Sequence, residues 1–326
     1  MISTTTHIEF ATRTEPTASV GTPELSFVIP TFNGAGTIAS VCEAVLAEFD
    51  REWIQIIIVN DGSVDGTDRA ARELVDRHPG RIVYVQLSRN FGEHRAVLAG
   101  LQLAAGRYTA VLDDDGQNPP QEVRRLLAAA ERHGWDVVFG RYVERRHHFA
   151  RRWASAIHNW AARRLLQKPP GLYLSSFKVL SRFAAEQLSL HQGPYVHLDG
   201  QILRLTRNIG QVDVLHLPRL IGRSGYTWGK LFGLWSELVL GFSTWPWRAA
   251  VTIGCAAAVL AVAAMIAPAA LREACGASPA VLGCGVLLGL NLAGLGLLGE
   301  HMTRSRGDSS EAPFVIRYIY RRSSNG

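Results

Sequence analysis

The stretch Tyr108-Thr-Ala-Val-Leu-Asp-Asp-Asp-Gly-Gln-Asn-Pro-Pro120 decides the fold. Its apolar first half predicts a short buried strand, and the proline pair that closes it predicts the start of the next helix. Three consecutive carboxylates therefore follow the carboxyl end of a buried strand. Open α/β sheets bind their ligands at that end, so the stretch predicts both an α/β fold and a ligand site.

The carboxylates of this stretch have the spacing of a metal site. Asp113 and Asp115 are two residues apart, so both can face one cation, while Gln117 offers a third oxygen. Hard divalent cations such as Mg²⁺ and Mn²⁺ take oxygen ligands of this kind and bridge to phosphates. A solvated acidic turn is the alternative, because Asp and Asn are common turn residues. The neighbouring segments must decide between the two interpretations.

Four other short apolar segments have the composition of strands, at residues 25–30, 54–60, 82–87 and 136–140. Segments with helical spacing separate most of them, and this alternation predicts βαβ units and a mostly parallel sheet. The dinucleotide-binding glycine pattern is absent after the first strand, which argues against a nicotinamide-dependent enzyme.

A Gly- and Ser-containing loop follows the second of these strands. Its backbone N–H groups can face an anion, and the Asp61 carboxylate can accept hydrogen bonds from a base or a ribose. An ordinary loop in which Asp65 or Thr67 caps the next helix is the alternative.

Length and charge limit the class of protein. A chain of 326 residues can form one large α/β domain plus a smaller unit. The formal charge of +6 suits an anionic membrane surface, phosphate-bearing ligands or nucleic acid. The four cysteines are scattered and are expected to be reduced thiols. Residues 1–22 are expected to form a disordered leader that is not a signal peptide, which leaves the following domain in the cytoplasm.

Two uncharged runs at residues 249–270 and 278–299 predict a transmembrane helical hairpin. Each run is long enough as a helix to span the roughly 30 Å hydrocarbon core. Arginines precede the first run and follow the second, so the positive-inside bias predicts that both ends are cytoplasmic. Two buried core helices are the alternative.

Two segments have the composition of helices at a membrane surface. Residues 140–168 mix arginines with tryptophans and leucines at roughly helical spacing, which predicts an amphipathic helix that binds a lipid phosphate. A solvated helix face and a nucleic-acid site are the alternatives. Residues 228–247 carry aromatic and apolar side chains at helical spacing, which predicts an interfacial helix, with a buried core helix as the alternative.

Four loop motifs resemble those of family-2 glycosyltransferases in order and spacing: Phe27-Val-Ile-Pro-Thr-Phe-Asn33, Ile58-Val-Asn-Asp-Gly-Ser-Val-Asp-Gly-Thr67, Leu87-Ser-Arg-Asn-Phe-Gly92 and Leu112-Asp-Asp-Asp-Gly-Gln-Asn-Pro-Pro120. More narrowly, the chain is similar to the polyprenyl-phosphate glycosyltransferases, the group that includes dolichol-phosphate mannose synthase. The resemblance implies a GT-A fold, a nucleotide-sugar donor and a divalent cation, Mg²⁺ or Mn²⁺, on the donor diphosphate.

The resemblance also assigns roles to residues of the donor side. The metal positions are Asp113, Asp115 and Gln117, with Asp115 also counted as catalytic, and the nucleotide-sugar positions are Pro30, Asn33, Asp61, Asp113 and Asp114. The acid that often follows Asn in the first loop of the family is Gly34 here, so one nucleoside contact departs from the pattern.

On the acceptor side, residues 174–182 resemble a Gly-Asp-Phe-Arg motif, with Ser176 in the place of the Asp and Lys178 in the place of the Arg. Asp199 is the best alternative base, and a helix cap is its other interpretation. Residues 218–231 resemble the Arg-x-x-Gly-x-Ser-x-Tyr segment of the family. The predicted acceptor-phosphate residues are Arg141, Arg151, Arg152, Lys178, Arg219, Arg223, Ser224 and Tyr226.

These expectations give a leader at 1–22, a GT-A domain at 23–227, an interfacial helix at 228–247, a membrane hairpin at 248–300 and a cytoplasmic tail at 301–326. The expected reaction is the inverting transfer of one sugar from a UDP- or GDP-linked donor to polyprenyl phosphate, undecaprenyl phosphate in bacteria, at the cytoplasmic face of the cell membrane. Transfer to another membrane lipid or a growing glycan, and a catalytically silent nucleotide-sugar or lipid-binding partner, are the alternatives. The resemblance further implies a homo-oligomer, and the hairpin disfavours a nucleic-acid partner.

Overall fold

The computed structural model describes residues 22–142, 168–191, 193, 197–218, 245–266, 278–305 and 313–323. In this part of the chain, one eight-stranded mixed sheet is covered by helices, and two long apolar helices pack against each other. Three predicted segments lie outside the described residues: the leader through residue 21, the basic segment from 143 to 167, and the stretch from 219 to 244 that includes most of the interfacial helix.

The strands of the sheet are β1 Leu25–Thr31, β2 Ile54–Asn60, β3 Ile82–Leu87, β4 Tyr108–Val111, β5 Val137–Tyr142, β6 Lys178–Ser181, β7 Ile209–Val214 and β8 Ile316–Arg321. The helices around it are α1 Ile38–Glu48, α2 Thr67–Arg77, α3 Glu93–Leu101, α4 Pro120–His133, α5 Arg182–Ser189 and α6 Leu198–Leu205. The two apolar helices are α7 Trp245–Ile266 and α8 Pro279–Ser305.

The strand order is β7-β5-β6-β4-β1-β2-β3-β8. The four neighbours β4, β1, β2 and β3 are parallel, and they are four of the five strands that the sequence predicted. The fifth predicted strand is β5, which pairs parallel with β7. The strand β6 runs antiparallel to both β4 and β5, and β8 runs antiparallel to β3. The mostly parallel α/β sheet predicted from the sequence is therefore confirmed.

Helices cover both faces of the sheet, so its central strands are apolar on both sides. In β1, the side chains of Phe27 and Ile29 pack into the core formed with α1, α2 and α4. The intervening Val28 packs into the opposite core, which includes α3, α5 and α6. All three side chains are fully buried, and burying a side chain of this size contributes about 1.5–3 kcal/mol.

The carboxylate stretch connects β4 to α4 as its sequence predicted. Pro120 is the first residue of α4 and Pro119 is its N-cap, and the helix ends at Gly134 in the left-handed region with φ 63°. Gly116 also has a positive φ of 73°, which lets the chain turn sharply after the three carboxylates.

Part of the predicted tail belongs to the eight-stranded sheet. The sequence-based boundaries left residues 301–326 outside the GT-A domain, but β8 pairs antiparallel with β3 and forms the edge of the sheet. The Tyr318 hydroxyl bonds to the carboxylate of Asp68 on α2, and the Arg72 guanidinium lies 4.7 Å from the Tyr318 ring centroid. The Tyr320 hydroxyl donates to Asp76 Oδ1 at 2.9 Å. Both tyrosines therefore attach β8 to α2.

The apolar helices α7 and α8 are long and apolar enough to cross a membrane over Trp247–Ile266 and Pro279–Met302. Most of their side-chain surface is exposed, which does not fit the alternative of two buried core helices. The two helices approach so closely that a Cβ atom on Gly254 would lie 2.5 Å from the carbonyl oxygen of Gly289. Glycines allow this backbone contact, as in closely packed membrane helices.

Candidate active site

The carboxyl ends of the four parallel strands bring four loops to one edge of the sheet, at residues 32–37, 61–66, 88–92 and 112–119. These loops carry the motifs that the sequence analysis assigned to the donor. Pro30 lies inside β1, where it is buried and paired in register with Val59. It is the last strand residue but one before the first loop.

Hydrogen bonds tie the first loop to the second. Asn33 has a left-handed backbone with φ 56°, and its side-chain Oδ1 accepts the Val64 N–H at 3.0 Å. The Asn33 N–H donates to Ser63 Oγ at 2.8 Å, and the next N–H, of Gly34, donates to Thr67 Oγ1 at 3.0 Å. The Asn33 side chain thus helps to build the edge on which the predicted nucleotide contact would lie.

Asp61 connects the second loop to the third. Its carboxylate is buried, with Oδ1 accepting the Phe91 N–H at 2.7 Å and Oδ2 accepting the Gly92 N–H at 2.8 Å. Burial raises the pKa of Asp61, while the two backbone hydrogen bonds oppose that rise. The geometry gives Asp61 an organising role in the loops, and the predicted contact with a base or ribose stays a prediction.

Asp114 points back toward the first loop, where the Thr31 hydroxyl donates to its Oδ2. A Cβ atom at Gly34 would lie 2.2 Å from both Asp114 Oδ2 and Thr31 Oγ1. The space that a side chain at position 34 needs is therefore already filled. This contact gives a physical reason for the glycine where the family pattern often has an acid.

Asp113 contacts the acceptor-side motif. Its Oδ2 accepts the Ser176 hydroxyl at 2.6 Å, and the Asn118 amide nitrogen lies 3.5 Å from the same oxygen. The antiparallel pairing of β4 with β6, in which Val111 is opposite Lys178, carries Ser176 to this position. The predicted donor and acceptor motifs are thus brought together at one carboxylate.

The turn around Asp115 is braced by the segment that follows β7. Asp115 Oδ1 accepts the Gln117 N–H at 3.0 Å. The Gln117 side-chain amide donates to the Leu217 carbonyl oxygen at 3.0 Å, and the Leu217 N–H donates to the Gln117 carbonyl oxygen at 2.9 Å. These bonds fix the turn and set the direction of the Gln117 side chain.

The predicted metal residues offer only oxygen ligands, two carboxylates and one amide, within the five residues from Asp113 to Gln117. A Mg²⁺ or Mn²⁺ ion that keeps some waters and binds substrate phosphates needs only one or two protein carboxylates. In the described part of the chain, no group of three or more His, Cys, Asp or Glu side chains comes together as a metal site. The donor set of Asp113, Asp115 and Gln117 therefore fits a cation that the substrate helps to hold.

Lys178 and Asp199 differ from their predicted roles. The Lys178 ammonium is almost fully buried, pairs with Asp199 Oδ1 and lies 5.1 Å from the Phe139 ring centroid. Burial alone raises the pKa of Asp199, but Lys178 and two nearby histidines more than offset it and leave the pKa below its usual value. A buried lysine already paired is poorly placed to hold a lipid phosphate, and a carboxylate with a lowered pKa is a weak base.

The alternative interpretation of Asp199 as a helix cap also differs from the structure. Asp199 lies in the first turn of α6, and His197 is the N-cap, with its Nδ1 accepting the Gly200 N–H at 3.2 Å.

The first turn of α3 contributes two titratable residues that the sequence analysis missed, Glu93 and His94. Burial raises the pKa of Glu93 to about 7, with Asp113 adding to the rise and Lys178 opposing it, although part of the residue is exposed to solvent. Burial lowers the pKa of His94 to about 3, helped by His197, whose ring centroid lies 4.9 Å away. The sequence signal for these two residues was an acid and a histidine at the start of a helix, directly after a motif loop.

The predicted acceptor-phosphate residues are mostly outside the described residues: Arg151, Arg152, Arg219, Arg223, Ser224 and Tyr226. Arg141 is described, and its predicted contact with a phosphate stays a prediction. It is paired in register with Asp213 of β7, and its Nη2 donates to Asp213 Oδ2 at 2.8 Å. This surface ion pair gives the Arg141 guanidinium a partner within the sheet.

The mixed, mostly parallel sheet with carboxylates at its strand ends has the GT-A fold. A sequence profile described as Glycosyl transferase family 2 matches residues 26–188. The chain belongs to this family, which confirms the resemblance found in its four loop motifs.

Relatives cover nearly the whole chain. An undecaprenyl-phosphate 4-deoxy-4-formamido-L-arabinose transferase of Edwardsiella ictaluri is 30% identical over 312 residues, covering 91% of this chain and 94% of the relative. A protein of the same name from Pseudomonas aeruginosa is 30% identical over 308 residues, covering 91% and 90%. The crystal structure of glucosyl-3-phosphoglycerate synthase from Mycobacterium tuberculosis with Mn²⁺, UDP and glucosyl-3-phosphoglycerate is 21% identical, with a TM-score of 0.46, covering 70% of this chain and 82% of that one.

Proposed function

We propose that this protein transfers one sugar, with inversion, from a UDP- or GDP-linked donor to polyprenyl phosphate, undecaprenyl phosphate in a bacterium. The observation that carries the proposal is the length of the similarity to the undecaprenyl-phosphate sugar transferases. It extends over 312 residues, whereas the family profile matches only residues 26–188. A match of that length includes both the catalytic sheet and much of the apolar hairpin.

For the donor side, we assign Asp113, Asp115 and Gln117 as the residues that hold a divalent cation, Mg²⁺ or Mn²⁺. When bound, such a cation neutralises charge on the departing nucleoside diphosphate. The turn that carries these residues is fixed by the Asp115 and Leu217 contacts, so the ligands need little rearrangement. Asn33, Asp61 and Asp114 would shape the adjoining nucleotide pocket through the loops they hold together, next to Pro30.

For the acceptor side, the chemistry does not require a strong base. A phosphate monoester is largely anionic at neutral pH, so it can attack the sugar without losing a proton first. Ser176 in place of an acid, and an Asp199 carboxylate already paired with Lys178, both agree with such an acceptor. Binding of the lipid phosphate by Arg151, Arg152, Arg219, Arg223, Ser224 and Tyr226 is part of the proposal.

The strand β8 supports the proposed topology. Because β8 follows α8 and pairs with β3, the chain must return to the side of the membrane that holds the catalytic sheet. An even number of crossings satisfies this requirement, and α7 and α8 supply two. Arg248 at the start of the hairpin and the arginines after it would place that side in the cytoplasm.

A second candidate function is sugar transfer to another membrane lipid or to a growing glycan. The observation in its favour is Ser176, because the chain departs at this position from the acceptor motif that it otherwise resembles.

The test incubates the purified full-length protein with radiolabelled UDP- and GDP-sugars, undecaprenyl phosphate and Mn²⁺ or Mg²⁺. We expect label in an organic-extractable lipid that releases its sugar on mild acid treatment, and no transfer after chelation. Label on other lipids or glycans but not on polyprenyl phosphate would favour the second function. Lack of lipid product with every donor would contradict the proposal.

Asp115→Asn should abolish most of the transfer. Asp50→Asn is the matched control, because Asp50 is an exposed carboxylate just after α1, at the amino-terminal edge of the parallel strands. Equal transfer by the Asp115 variant and the control would remove Asp115 from the site.

A further inference from the structure

Ser176 stands where the family's acceptor-side motif has an Asp. Its hydroxyl donates to Asp113 Oδ2 at 2.6 Å, the length of a short, charge-assisted hydrogen bond. The donated proton is thus directed at a carboxylate of the proposed donor site. An acid at this position would instead face another acid.

Two uncharged groups complete the surroundings of Ser176. The Tyr142 phenol, at the end of β5, lies near the side chains of Ser176 and Asn118, which oppose part of the burial-driven rise of its pKa. Burial raises the pKa of Tyr142, so the phenol stays protonated at neutral pH. Asn118 is itself buried, with its amide nitrogen near the same Asp113 oxygen that Ser176 contacts. Asp113 Oδ2 therefore accepts from two neutral donors, Asn118 of the turn before α4 and Ser176 of the segment before β6.

We infer that Ser176 is a positioning residue for the donor site, whose hydroxyl orients the Asp113 carboxylate toward the cation of the nucleotide-sugar. This inference rests on the proposed function, because it takes the cation at Asp113 from there. One oxygen of the carboxylate accepts from Ser176, and the orientation of the whole group is fixed by that bond. A hydroxyl can do this without adding charge, whereas a carboxylate in its place would repel Asp113.

An orienting role for Ser176 explains why a serine can replace the acid of the motif at this position. With a phosphate acceptor, a base at position 176 contributes little, while the orientation of Asp113 affects every donor that binds. The rival role is a purely structural link between β4 and β6, and it predicts no effect on cation affinity.

The test compares Ser176→Val with Ser176→Thr in the full-length protein. Valine and threonine have nearly the same shape, so the pair isolates the hydroxyl. Mn²⁺ binding in the presence of UDP is measured from the electron paramagnetic resonance signal of free Mn²⁺. We expect Ser176→Val to weaken Mn²⁺ binding by about tenfold and Ser176→Thr to retain affinity within about twofold of wild type.

Kinetics supply a second readout. Ser176→Val should raise the KM for the donor, leave the KM for polyprenyl phosphate unchanged, and recover most of kcat at saturating Mn²⁺. Wild-type Mn²⁺ affinity in Ser176→Val, with transfer intact or lost, would overturn the positioning role. Failure of the wild-type protein to bind Mn²⁺ with UDP would overturn the metal assignment of the proposed function as well. Thermal unfolding of the Val and Thr variants shows whether both fold equally.

Discussion

The Lys178 ammonium and the Asp199 carboxylate form an ion pair in the interior beside the candidate active site, with side chains only 2% and 13% exposed. The pair joins β6 to the first turn of α6, and both elements contribute side chains, Leu180 and Leu198, to the same apolar core. Removing two charges from water is costly, and the pair compensates for that cost only while both partners are present. It therefore has a structural role that can be separated from catalysis.

We expect Lys178→Met and Asp199→Asn each to lower the free energy of unfolding by about 3–5 kcal/mol, because each leaves a buried group without its partner. The double variant Lys178→Met/Asp199→Leu should cost less than the sum of the single variants. Urea titration followed by tryptophan fluorescence, on the protein in detergent micelles, measures these changes.

The matched control for this pair is Arg182 with Glu186, an ion pair whose side chains are 51% and 57% exposed. Glu186→Gln should change stability by less than about 1 kcal/mol. If Asp199→Asn instead leaves stability unchanged and lowers only kcat, then Asp199 acts as a base and the structural role is contradicted.

Glu93 predicts a pH dependence of stability. Its pKa is raised to about 7 by burial and by Asp113, above the value of about 4.3 for an unfolded Glu. Between these values the folded protein binds more protons than the unfolded chain, so stability falls as the pH rises through this window. The loss is complete above about pH 7. Glu93→Gln removes it and should raise the thermal midpoint more at pH 8 than at pH 5.

Glu131→Gln is the control for Glu93, because Glu131 is an exposed residue of α4. It should not change the thermal midpoint differently at the two pH values. An equal gain from Glu93→Gln at pH 5 and pH 8 would show that the Glu93 carboxyl does not titrate differently on folding.

The donor half of the site could be predicted from the sequence because its signals are local. A strand, a run of acids and a proline pair occupy the residues up to Pro120, and the structure places the turn and the start of α4 there. Because the carboxyl ends of parallel strands lie at the same edge of a sheet, the strand pattern alone predicts that these loops come together.

Side-chain hydrogen bonds between residues far apart in the sequence could not be predicted in this way. The Asp113 to Ser176 hydrogen bond joins residues 63 apart in the chain, and Tyr318 contacts an aspartate 250 residues before it. Many acids and hydroxyls of the sequence could have formed such pairs. The alternation in β8, with residues 316, 318 and 320 half-buried and the residues between them exposed, was a strand signal that the tail assignment overlooked.

The attachment of β8 to α2 gives a prediction about the tail. Tyr318→Phe removes the hydroxyl that bonds to Asp68 and keeps the ring beside Arg72, so we expect a loss of about 1 kcal/mol in stability. Arg317→Ala is the control, because its side chain is exposed on the other face of the strand.

A chain that ends at residue 312 leaves the β3 edge unpaired and should aggregate on mild heating. Light scattering and thermal unfolding measure both effects, and a truncated chain as soluble as wild type would contradict them.

The close contact of α7 with α8 gives a prediction about the hairpin. In the structure a Cβ atom on Gly289 would lie 2.6 Å from the Gly254 carbonyl oxygen and 2.7 Å from the Ala258 nitrogen. Gly289→Val must therefore separate the helices, whereas Gly283→Val meets open space on the same helix and makes the same chemical change. We expect the Gly289 variant to lower the thermal midpoint of the detergent-solubilised protein and to expose the hairpin to proteolysis. The Gly283 variant should resemble wild type, and equal behaviour of the two variants would mean that α7 and α8 do not pack through Gly254 and Gly289.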